Sequence, residues 1–542
     1  MRKPWERCES GRIGLTANEL TWVTGSEGSN PSLSARAGQP APWPKKLERP
    51  ATRACRPRRP GGVRPGARRV REVVDRFFMQ TLGCPKNQVD SDKLEGYLET
   101  QGYGRVADPA EADLVVVNTC AFIEAARQES IDTVLELHEV RGDGSRLVVT
   151  GCMAERYGDE LRDALPEVDL VAGYGRDLVA GPTLGAVPVE LSARRHGGPA
   201  TGGFDLLELP RPAAAAPWAY VKVAEGCDRI CGFCAIPSFR GKQRSRSSDD
   251  VLAEVHALHR GHGDGTAPPL REVVLVAQDL ASYGRDRTGP GRATRVAGGP
   301  SPIAALTRAV AADVERTRLL YLYPSGLTDE LVGAALDTGV PYFDLSLQHV
   351  SRPHLARMRR WGDGERFLRR IADIRAAEPA ATFRSSFILG YPGETERDHD
   401  LLLEFLAEAQ LDWAGFFTFS KEDGTHAATL PGQVPPALAL ERLRECTELQ
   451  DSITARRRDA FVGEVRCVLV DAPGVGRTVH EAPEIDGIVH LPHELRVGDL
   501  VDVTIIGAEG PDLHAEPVAS VAARGSRAPR TRTPDGVGAR TP

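Results

Sequence analysis

The chain has 542 residues and a net charge of −7, and 41% of its residues are hydrophobic, 26% charged and 6% aromatic. This length predicts several folded domains, and the composition is that of a globular protein. No segment approaches the roughly 18 apolar residues of a membrane-spanning helix, and the N-terminus lacks the apolar core of a secretory signal. We therefore expect a cytoplasmic protein without membrane attachment. Its ten cysteines favour a reducing compartment, where thiols serve metal binding or catalysis.

The charge is unevenly distributed along the chain. Residues 1–71 contain 16 Lys and Arg against 5 Asp and Glu, which leaves a net charge of −18 in the remainder. This basic segment is rich in Pro, Gly, Arg and Ser without apolar periodicity, and we predict that it is disordered. A dispensable tail is favoured over a nucleic-acid-binding arm. The acidic remainder repels phosphate backbones and favours basic partners.

Residues 75–180 alternate short apolar strands with helices, which is typical of a parallel α/β sheet. The predicted elements follow in the order 77–82 (strand), 91–100 (helix), 114–117 (strand), 123–140 (helix), 147–150 (strand) and 154–165 (helix). The first helix is expected to have Asp90 or Ser91 as its N-cap and to end before Gly102. Ligands of such sheets bind at the carboxyl ends of the strands.

One cysteine follows each of these three strands at its carboxyl end, namely Cys84, Cys120 and Cys152. A single free cysteine is often just a small buried residue. Three at equivalent positions can converge on one edge of the sheet. They predict a site with three thiolate ligands for a metal cluster.

A second α/β domain is predicted over residues 218–458, after a linker rich in Gly, Pro and Ala at 181–217. Its strand candidates lie at 219–223, 272–276, 318–322, 342–347, 383–389 and 413–419, with helices at 249–259, 303–313, 364–377 and 395–408. Six such units predict a partial parallel barrel, with active groups at the carboxyl ends of its strands.

A Cys-x3-Cys-x2-Cys run, formed by Cys227, Cys231 and Cys234, follows the first strand of this domain. Three thiolates with no fourth Cys or His close behind fit structural zinc poorly, because a closed zinc site takes four protein ligands. They suit a 4Fe-4S cluster with one iron left open for a substrate or cofactor. The run resembles the signature of radical S-adenosylmethionine (SAM) enzymes. In that superfamily the cluster cleaves SAM to methionine and a 5'-deoxyadenosyl radical, while the protein supplies binding and orientation.

Four side chains are predicted to contact SAM, namely Phe233, Gln278, Gln348 and Ser386. Phe233 occupies the position of the aromatic residue that packs near the adenine in this superfamily, although a core aromatic is an equal alternative. The other three lie at the ends of barrel strands or inside one of them.

Further candidates are less specific. Asp279, His349 and Ser385 adjoin the predicted contacts, and Glu394 or Thr395 begins a helix after a Gly-rich turn. Helix capping alone accounts for that turn, and His349 also suits a hydrogen-bonded position in the barrel interior. The remaining cysteines are predicted not to bind metal; they are Cys8, Cys55, Cys446 and Cys467.

The C-terminal part is predicted to be a small β-barrel over residues 459–520, after a helix at 441–458. Short alternating segments at 465–470, 487–491 and 500–506 are separated by Gly, Pro and Asp. Residues 463–517 contain 11 Asp and Glu against 3 Arg and no Lys. Residues 521–542 are predicted to form a second disordered tail.

The two cysteine triads and the order of the three domains resemble the radical SAM methylthiotransferase family over roughly residues 75–520. The resemblance implies that Cys84, Cys120 and Cys152 bind an auxiliary 4Fe-4S cluster and that Cys227, Cys231 and Cys234 bind the radical SAM cluster. It implies a TRAM domain for the small barrel. It also implies that SAM serves twice, once as methyl donor to sulfur and once as radical source.

Three strings resemble the branch of the family that modifies an aspartate of ribosomal protein S12. They are Leu-Gly-Cys-Pro-Lys-Asn at 82–87, with Val-Asp-Ser at 89–91, Cys-Ala-Ile-Pro-Ser at 234–238, and Ala-Pro-Glu-Ile-Asp-Gly at 482–487. The acidic small barrel also suits a basic protein better than RNA. This branch implies a methylthio group on the aspartate β-carbon, the small ribosomal subunit as partner, and an electron donor of the flavodoxin or ferredoxin type.

Two alternatives are kept. One is a tRNA methylthiotransferase acting on isopentenyl or threonylcarbamoyl adenosine, from the same family. The other is a non-catalytic iron-sulfur protein that binds the ribosome or senses redox state. We expect the chain to be a monomer.

Overall fold

The computed structural model describes residues 75–179, 204–260, 267–287 and 301–518. The predicted tails at 1–71 and 521–542 lie outside these ranges, as do residues 181–203 of the predicted linker. In the described part of the chain, no helix combines the length and apolar character needed to cross a membrane.

Residues 75–179 form a parallel sheet of five strands in the order β2-β1-β3-β4-β5. The strands are β1 (Arg76–Thr81), β2 (Gly104–Arg105), β3 (Leu114–Thr119), β4 (Arg146–Gly151) and β5 (Leu170–Val171). The helices are α1 (Pro85–Thr100), α2 (Glu124–Val140) and α3 (Cys152–Ala164). The central strand β3 is buried along its whole length, as expected for a parallel strand covered on both faces. The predicted parallel α/β sheet is confirmed.

Helix α1 begins at Pro85, so the predicted start near Ser91 is wrong. Proline suits the first helical position because its φ angle is already helical and its missing N–H would have no partner there. Asp90, a predicted N-cap, instead lies inside the helix with its carboxylate against buried Lys222. Cys84 therefore occupies the N-cap position, at the helix end nearest to the sheet.

The second domain is an arc of six parallel strands, with a short antiparallel pair beside it. The strands are β6 (Trp218–Lys222), β7 (Ala224–Glu225), β8 (Arg244–Ser245), β9 (Glu272–Val276), β10 (Arg316–Leu319), β11 (Tyr342–Gln348), β12 (Thr382–Leu389) and β13 (Trp413–Thr418). β6, β9 and β10 form one sheet and β11, β12 and β13 another, and a parallel bridge between Leu322 and Leu345 links the two. The pair β7 and β8 is antiparallel. This is the predicted partial barrel of six strands.

The helices of this domain cover the arc. They are α4 (Ile236–Arg240), α5 (Ser248–Arg260), α6 (Pro302–Ala311), α7 (Asp329–Asp337), α8 (Arg352–Arg357), α9 (Gly364–Ala377) and α10 (Glu396–Ala409). Helices α4, α7 and α8 were not predicted, because segments of five to nine residues give too few turns for an apolar period to stand out.

Helix α11 (Pro436–Asp459) leads into a closed five-stranded barrel in the order β14-β15-β16-β18-β17. Its strands are β14 (Val465–Ala472), β15 (Val475–Arg477), β16 (Val489–His490), β17 (Leu500–Glu509) and β18 (Asp512–Pro517). Valine, leucine and isoleucine side chains fill its interior. The predicted small β-barrel is confirmed, with β15 and β18 as additional strands.

Residues 477–487 of the small barrel, here called the docking segment, lie against the amino ends of the larger barrel's strands. Four donors of the larger barrel bond to it: Arg316 to the Arg477 carbonyl (3.0 Å), Tyr220 to the Pro483 carbonyl (2.8 Å), Tyr342 to the Asp486 carboxylate (2.6 Å) and Trp413 to the His480 carbonyl (2.8 Å). The small barrel thus covers the end of the larger barrel opposite to the carboxyl ends of its strands.

The described part of the predicted linker, 204–217, packs against both α/β domains. Leu206 and Leu209 are buried in the core of the N-terminal domain. Arg211 bonds to Asp92 on α1 and to Glu254 on α5. This segment therefore ties the two domains together through contacts on each side.

Glu272, at the start of β9, supports the docking segment from inside the larger barrel. Its buried carboxylate accepts hydrogen bonds from Arg318 at 2.7 Å and from Arg477 at 3.0 Å. Burial alone would raise the pKa of Glu272, but the charges of Arg318 and Arg477 outweigh it and lower the pKa to about 2. The folded-state pKa thus lies below the ordinary value of 4.5. The stabilisation is full above pH 4.5 and is lost as the pH falls toward 2.

We expect Glu272→Gln to lower the free energy of unfolding at pH 7 by about 3–5 kcal/mol, because two buried guanidinium groups lose their shared carboxylate. Below pH 4.5 the gap between wild type and variant should narrow, since the wild-type carboxyl also becomes neutral. Urea unfolding at a series of pH values measures both effects. The control Glu315→Gln removes an exposed partner of Arg271 and should change the free energy of unfolding by about 0–1 kcal/mol. If the difference in the free energy of unfolding between the wild type and Glu272→Gln did not vary with pH, Glu272 would not be the charged partner of Arg318 and Arg477.

Candidate functional site

A cavity of about 250 Å³ lies between the N-terminal domain and the larger barrel, at the carboxyl ends of both sets of strands. All six cysteines of the two triads line it, as do the four predicted SAM contacts. Glu422 joins the domains on one side, because it pairs with Arg127 at 2.6 Å and Arg156 at 2.7 Å. Lys222 and Asp90 join them on the other side. The two triads, 75 residues apart at their nearest members in sequence, therefore share one cavity.

The first triad is brought together by tight glycine turns after the strands. Gly83 has a φ angle of 95°, and a Cβ atom there would lie 2.9 Å from the Cβ of Cys120. Gly151 has a φ angle of 91°, and a Cβ atom there would lie 2.2 Å from the Asn118 side chain. Only glycine fits both the backbone angle and the space at these two positions. The cysteine next to each turn, Cys84 or Cys152, is thereby directed into the cavity.

Burial and charge act in opposite directions on the first triad. Burial raises the pKa of Cys120, and the nearby Cys152 and Cys84 thiolates raise it further. Burial alone would raise the pKa of Cys84 too, but the charges of Lys86 and Arg240 outweigh it, and the pKa falls below its usual value. A metal cluster bound by the three sulfurs would compensate the charge of their thiolates.

Arg240 is the main support of Cys152. Its guanidinium donates to the Cys152 sulfur at 3.1 Å and to the Asn87 side chain at 2.6 Å. Tyr174 also donates to the Cys152 sulfur, at 3.0 Å. The other side of the guanidinium bonds to Glu225 at 3.0 Å. Donors around a cysteine sulfur stabilise its thiolate form, which is the form that binds iron.

The second triad is less buried and is held by its own loop. The Cys234 N–H donates to the Cys231 carbonyl at 3.1 Å, and the Arg229 N–H donates to the Cys227 sulfur at 3.4 Å. Arg360 donates to the Cys231 sulfur at 3.1 Å. Burial raises the pKa of Cys227 to about 11 and, together with the Cys231 thiolate, the pKa of Cys234 to about 12. Metal binding releases the protons of such thiols, because the thiolate is the form that binds iron.

In the described ranges, no three His, Cys, Asp or Glu side chains lie close enough to share a single metal ion. The donors that line the cavity are instead two separate sets of three thiols. Cysteine thiols are the usual ligands of iron-sulfur clusters, in which each iron has its own cysteine. The chemistry of the donor set therefore fits one cluster at each triad.

The four predicted SAM contacts all reach the cavity. Gln278 donates to Glu225 at 2.9 Å, and its buried side-chain oxygen has no hydrogen-bond partner among the described residues. Gln348 has a positive φ angle of 71°, which is unusual for a residue other than glycine. Phe233 is half-buried against the barrel core. The free acceptor of Gln278 and the strained backbone at Gln348 are both features of ligand-binding positions.

Most of the weaker candidates lie away from the cavity. His349 is buried and accepts from the Ser351 N–H at 3.1 Å. Ser385 is buried between strands, and Glu394 accepts from the Gly390 N–H. Thr395 forms a capping box with Asp398 at the start of α10, which accounts for the turn. Asp279 does line the cavity, where it pairs with Arg229 at 2.7 Å.

Several residues at the cavity were not singled out from the sequence. They are Lys86, Glu225, Arg240, Tyr321, Tyr323, Asp344, Arg360 and Arg384. Lys86 belongs to the string at 82–87, and its position two residues after a cysteine was the only available signal. The others come from distant parts of the chain, and their meeting depends on the fold.

Family models match all three domains. The model of Uncharacterized protein family UPF0004 matches residues 76–173, that of the Radical SAM superfamily matches residues 221–406, and that of the TRAM domain matches residues 462–518. These ranges coincide with the N-terminal sheet, most of the larger barrel and the small barrel. The solved structure of the radical SAM methyltransferase TsrM from Kitasatospora setae has 14% identity and a TM-score of 0.40, over 74% of this chain and 80% of that one. This likeness is too slight to bear on function.

Curated proteins named ribosomal protein uS12 methylthiotransferase RimO are similar to this chain over most of its length. The one from Nocardioides sp. is 42% identical over 491 residues, which cover 83% of this chain and 98% of the relative. The one from Moorella thermoacetica is 43% identical and covers 77% and 93%, and the one from Streptomyces coelicolor is 39% identical and covers 81% and 96%. The chain belongs to the family of ribosomal protein uS12 methylthiotransferases, which are radical SAM transferases with a TRAM domain and with SAM and 4Fe-4S clusters as cofactors.

Proposed function

We propose that this chain transfers a methylthio group to the β-carbon of an aspartate in ribosomal protein S12. The observation that carries the proposal is the meeting of two cysteine triads, from two domains, in a single cavity. A reaction that replaces hydrogen by CH3-S needs a radical source and a sulfur source close together. The shared cavity supplies a place for both, and the relatives named above act on uS12.

Each triad has its own role in this proposal. Cys227, Cys231 and Cys234 hold the radical SAM cluster, and Cys84, Cys120 and Cys152 hold the auxiliary cluster. When bound, the clusters and SAM supply the radical that removes hydrogen and the sulfur that replaces it. The side chains that bind SAM are Phe233, Gln278, Gln348 and Ser386. The free oxygen of Gln278 is available for a SAM donor group, and Phe233 offers a ring face for the adenine.

The charge of the small barrel supports a protein substrate. Residues 463–517 are all described, and their exposed charged side chains include six acids (Glu464, Glu484, Glu494, Asp502, Glu509 and Glu516) and one arginine, Arg496. Other acids of this domain serve inside the protein, because Glu481 pairs with Arg458 and Asp471 pairs with Arg477. The outer surface nevertheless stays acidic. Such a surface attracts a basic ribosomal protein and repels tRNA.

The proposal extends to the electron donor, the partner, the oligomeric state and the compartment. A flavodoxin or ferredoxin type of protein provides the electrons, because SAM cleavage needs reduction of a low-potential cluster. The partner is the small ribosomal subunit or free S12. The protein acts in the cytoplasm as a monomer.

Intact mass measurement of S12 from cells with and without this gene tests the proposal. With the gene, we expect S12 to be heavier by one CH3-S group in place of one hydrogen, located on one aspartate. Without it, the added mass should be absent. If S12 is unchanged and methylthio adenosine is lost from tRNA instead, the tRNA alternative is correct. If neither changes, and the reconstituted protein gives no 5'-deoxyadenosine with SAM and a reductant, the non-catalytic alternative is correct.

A further inference from the structure

Lys86 is a buried cation at the wall of the cavity. It lies in the first turn of α1, two residues after Cys84, and it is 8% exposed. Among the described residues its ammonium group forms no ion pair and no hydrogen bond, and it lies over the ring of Tyr321, 3.1 Å from the ring centre. Burying an ammonium group is costly, and the nearby charges of Cys84 and Asp344 offset that cost only in part. The first turn of a helix adds to this cost, because the helix dipole is positive there.

The other cations that line the cavity are already used. Their partners within the described residues are Asp279 for Arg229, Asp90 and Glu225 for Arg240, the Cys231 sulfur and the Ser346 carbonyl for Arg360, and Asp344 and Asp486 for Arg384. Lys86 therefore stands apart from them, since it faces the cavity with all of its donors free.

The ring beneath Lys86 is held in a fixed place. Tyr321 follows β10 with a positive φ angle of 65°, which costs energy for a residue other than glycine. Its N–H donates to Asp344 at 2.9 Å, and its carbonyl accepts from the Leu280 N–H at 3.2 Å. These bonds hold the backbone in its strained form. The aromatic face then positions the ammonium group without neutralising its charge.

We propose that Lys86 binds the side-chain carboxylate of the substrate aspartate and so determines that the substrate is an acid. This inference rests on the proposed function, in which an aspartate must enter the cavity with its β-carbon exposed. A carboxylate on the ammonium group holds the adjoining carbon inside the cavity that both triads line. An uncharged analogue forfeits this charged contact.

The test compares S12 with S12 in which the modified aspartate is replaced by asparagine, for the wild-type enzyme and for Lys86→Met. Asparagine keeps the shape and the β-hydrogens but removes the charge. For the wild type we expect the kcat/KM for methylthiolation of aspartate to exceed that of asparagine by about 10²-fold, the usual effect of losing one partner of a buried charge pair. In Lys86→Met the ratio should fall close to one. Lys242→Met removes an exposed lysine and should leave the ratio of the wild type.

Iron and sulfide contents and visible absorption are measured for each variant, because Lys86 lies near Cys84. If Lys86→Met does not hold both clusters, Lys86→Gln is used for the same comparison. The affinities of the wild-type enzyme for the aspartate and asparagine forms of S12 are measured as well, and they test the preference for a carboxylate without any enzyme variant. Equal wild-type affinity for the two forms would overturn the inference. The inference would also be overturned if Lys86→Met lowered the kcat/KM for both forms of S12 by the same factor, or if it raised only the KM for SAM. A wild type that modifies neither form contradicts the proposed function itself.

Discussion

Cys84→Ala is expected to abolish methylthiolation of S12 while 5'-deoxyadenosine still forms, whereas Cys231→Ala is expected to abolish both. Cys84 stands at the N-cap of α1, in the domain that carries the first triad, and Cys231 belongs to the loop after β7. Because the triads are held by separate structural elements, loss of a cysteine from one leaves the other's backbone in place. Product formation is followed by the mass of S12, and deoxyadenosine by chromatography after reduction in the presence of SAM.

The control for both variants is Cys467→Ala. Cys467 is exposed on β14 in the small barrel, far along the chain from both triads, and its loss should change neither product. Iron content separates the cases further, since each triad variant should lose iron and the control should not. Equal loss of deoxyadenosine in Cys84→Ala and Cys231→Ala would show that the triads do not act separately.

The sequence was a good guide wherever a short pattern determines the structure. The apolar strands of the N-terminal domain were predicted within a few residues, because continuous runs such as Leu114–Thr119 read clearly as buried parallel strands. The position of one cysteine after each strand then placed Cys84, Cys120 and Cys152 at one edge of the sheet. The spacing of Cys227, Cys231 and Cys234 indicated the second triad directly.

What the sequence did not reveal depends on contacts between distant residues. Arg240 and Asp90 are 150 residues apart, and nothing in either local sequence indicates that they meet beside Cys152. Asp90 was instead predicted as a helix N-cap, because carboxylates are common there. The docking segment is a similar case. In the sequence, residues 482–487 indicate only a family resemblance. In the structure, Pro483 and Asp486 bond to tyrosines inside the larger barrel.

These long-range contacts place the small barrel in the architecture of the active site as well as at its surface. Asp486 of the docking segment pairs with Arg384, and Arg384 pairs in turn with Asp344. Arg384 and Asp344 both line the cavity, and Asp344 also accepts the hydrogen bond that holds Tyr321. A continuous chain of charged groups thus runs through the barrel interior from the small barrel to the site. The small barrel therefore supports the shape of the cavity from the opposite end of the larger barrel.

Four charged groups at the contact of the two α/β domains form the most buried ionic network beside the cavity. Lys222 contacts Asp90 and lies 2.6 Å from Glu225, and Arg240 bonds to Asp90 at 3.2 Å and to Glu225 at 3.0 Å. Burial alone would raise the pKa of Glu225, but the charges of Arg240 and Lys222 outweigh it and hold the pKa well below its usual range. Two cations and two anions balance each other in this network.

Asp90→Ala is expected to lower the free energy of unfolding by about 3–5 kcal/mol, because it leaves Lys222 and Arg240 buried with one carboxylate between them. Arg240 also donates to the Cys152 sulfur, so its displacement should alter the environment of the first triad. We therefore expect two readouts to change together, the urea midpoint and the visible absorption of the reconstituted clusters.

A matched surface variant, Glu124→Ala, removes a carboxylate that is 78% exposed beside Arg127 and should cost about 0–1 kcal/mol without a spectral change. If Asp90→Ala destabilised the protein no more than Glu124→Ala, the network would contribute little to the joining of the domains. If it destabilised the protein without a spectral change, Arg240 would keep its place beside Cys152 without Asp90, through its bonds to Glu225 and Asn87.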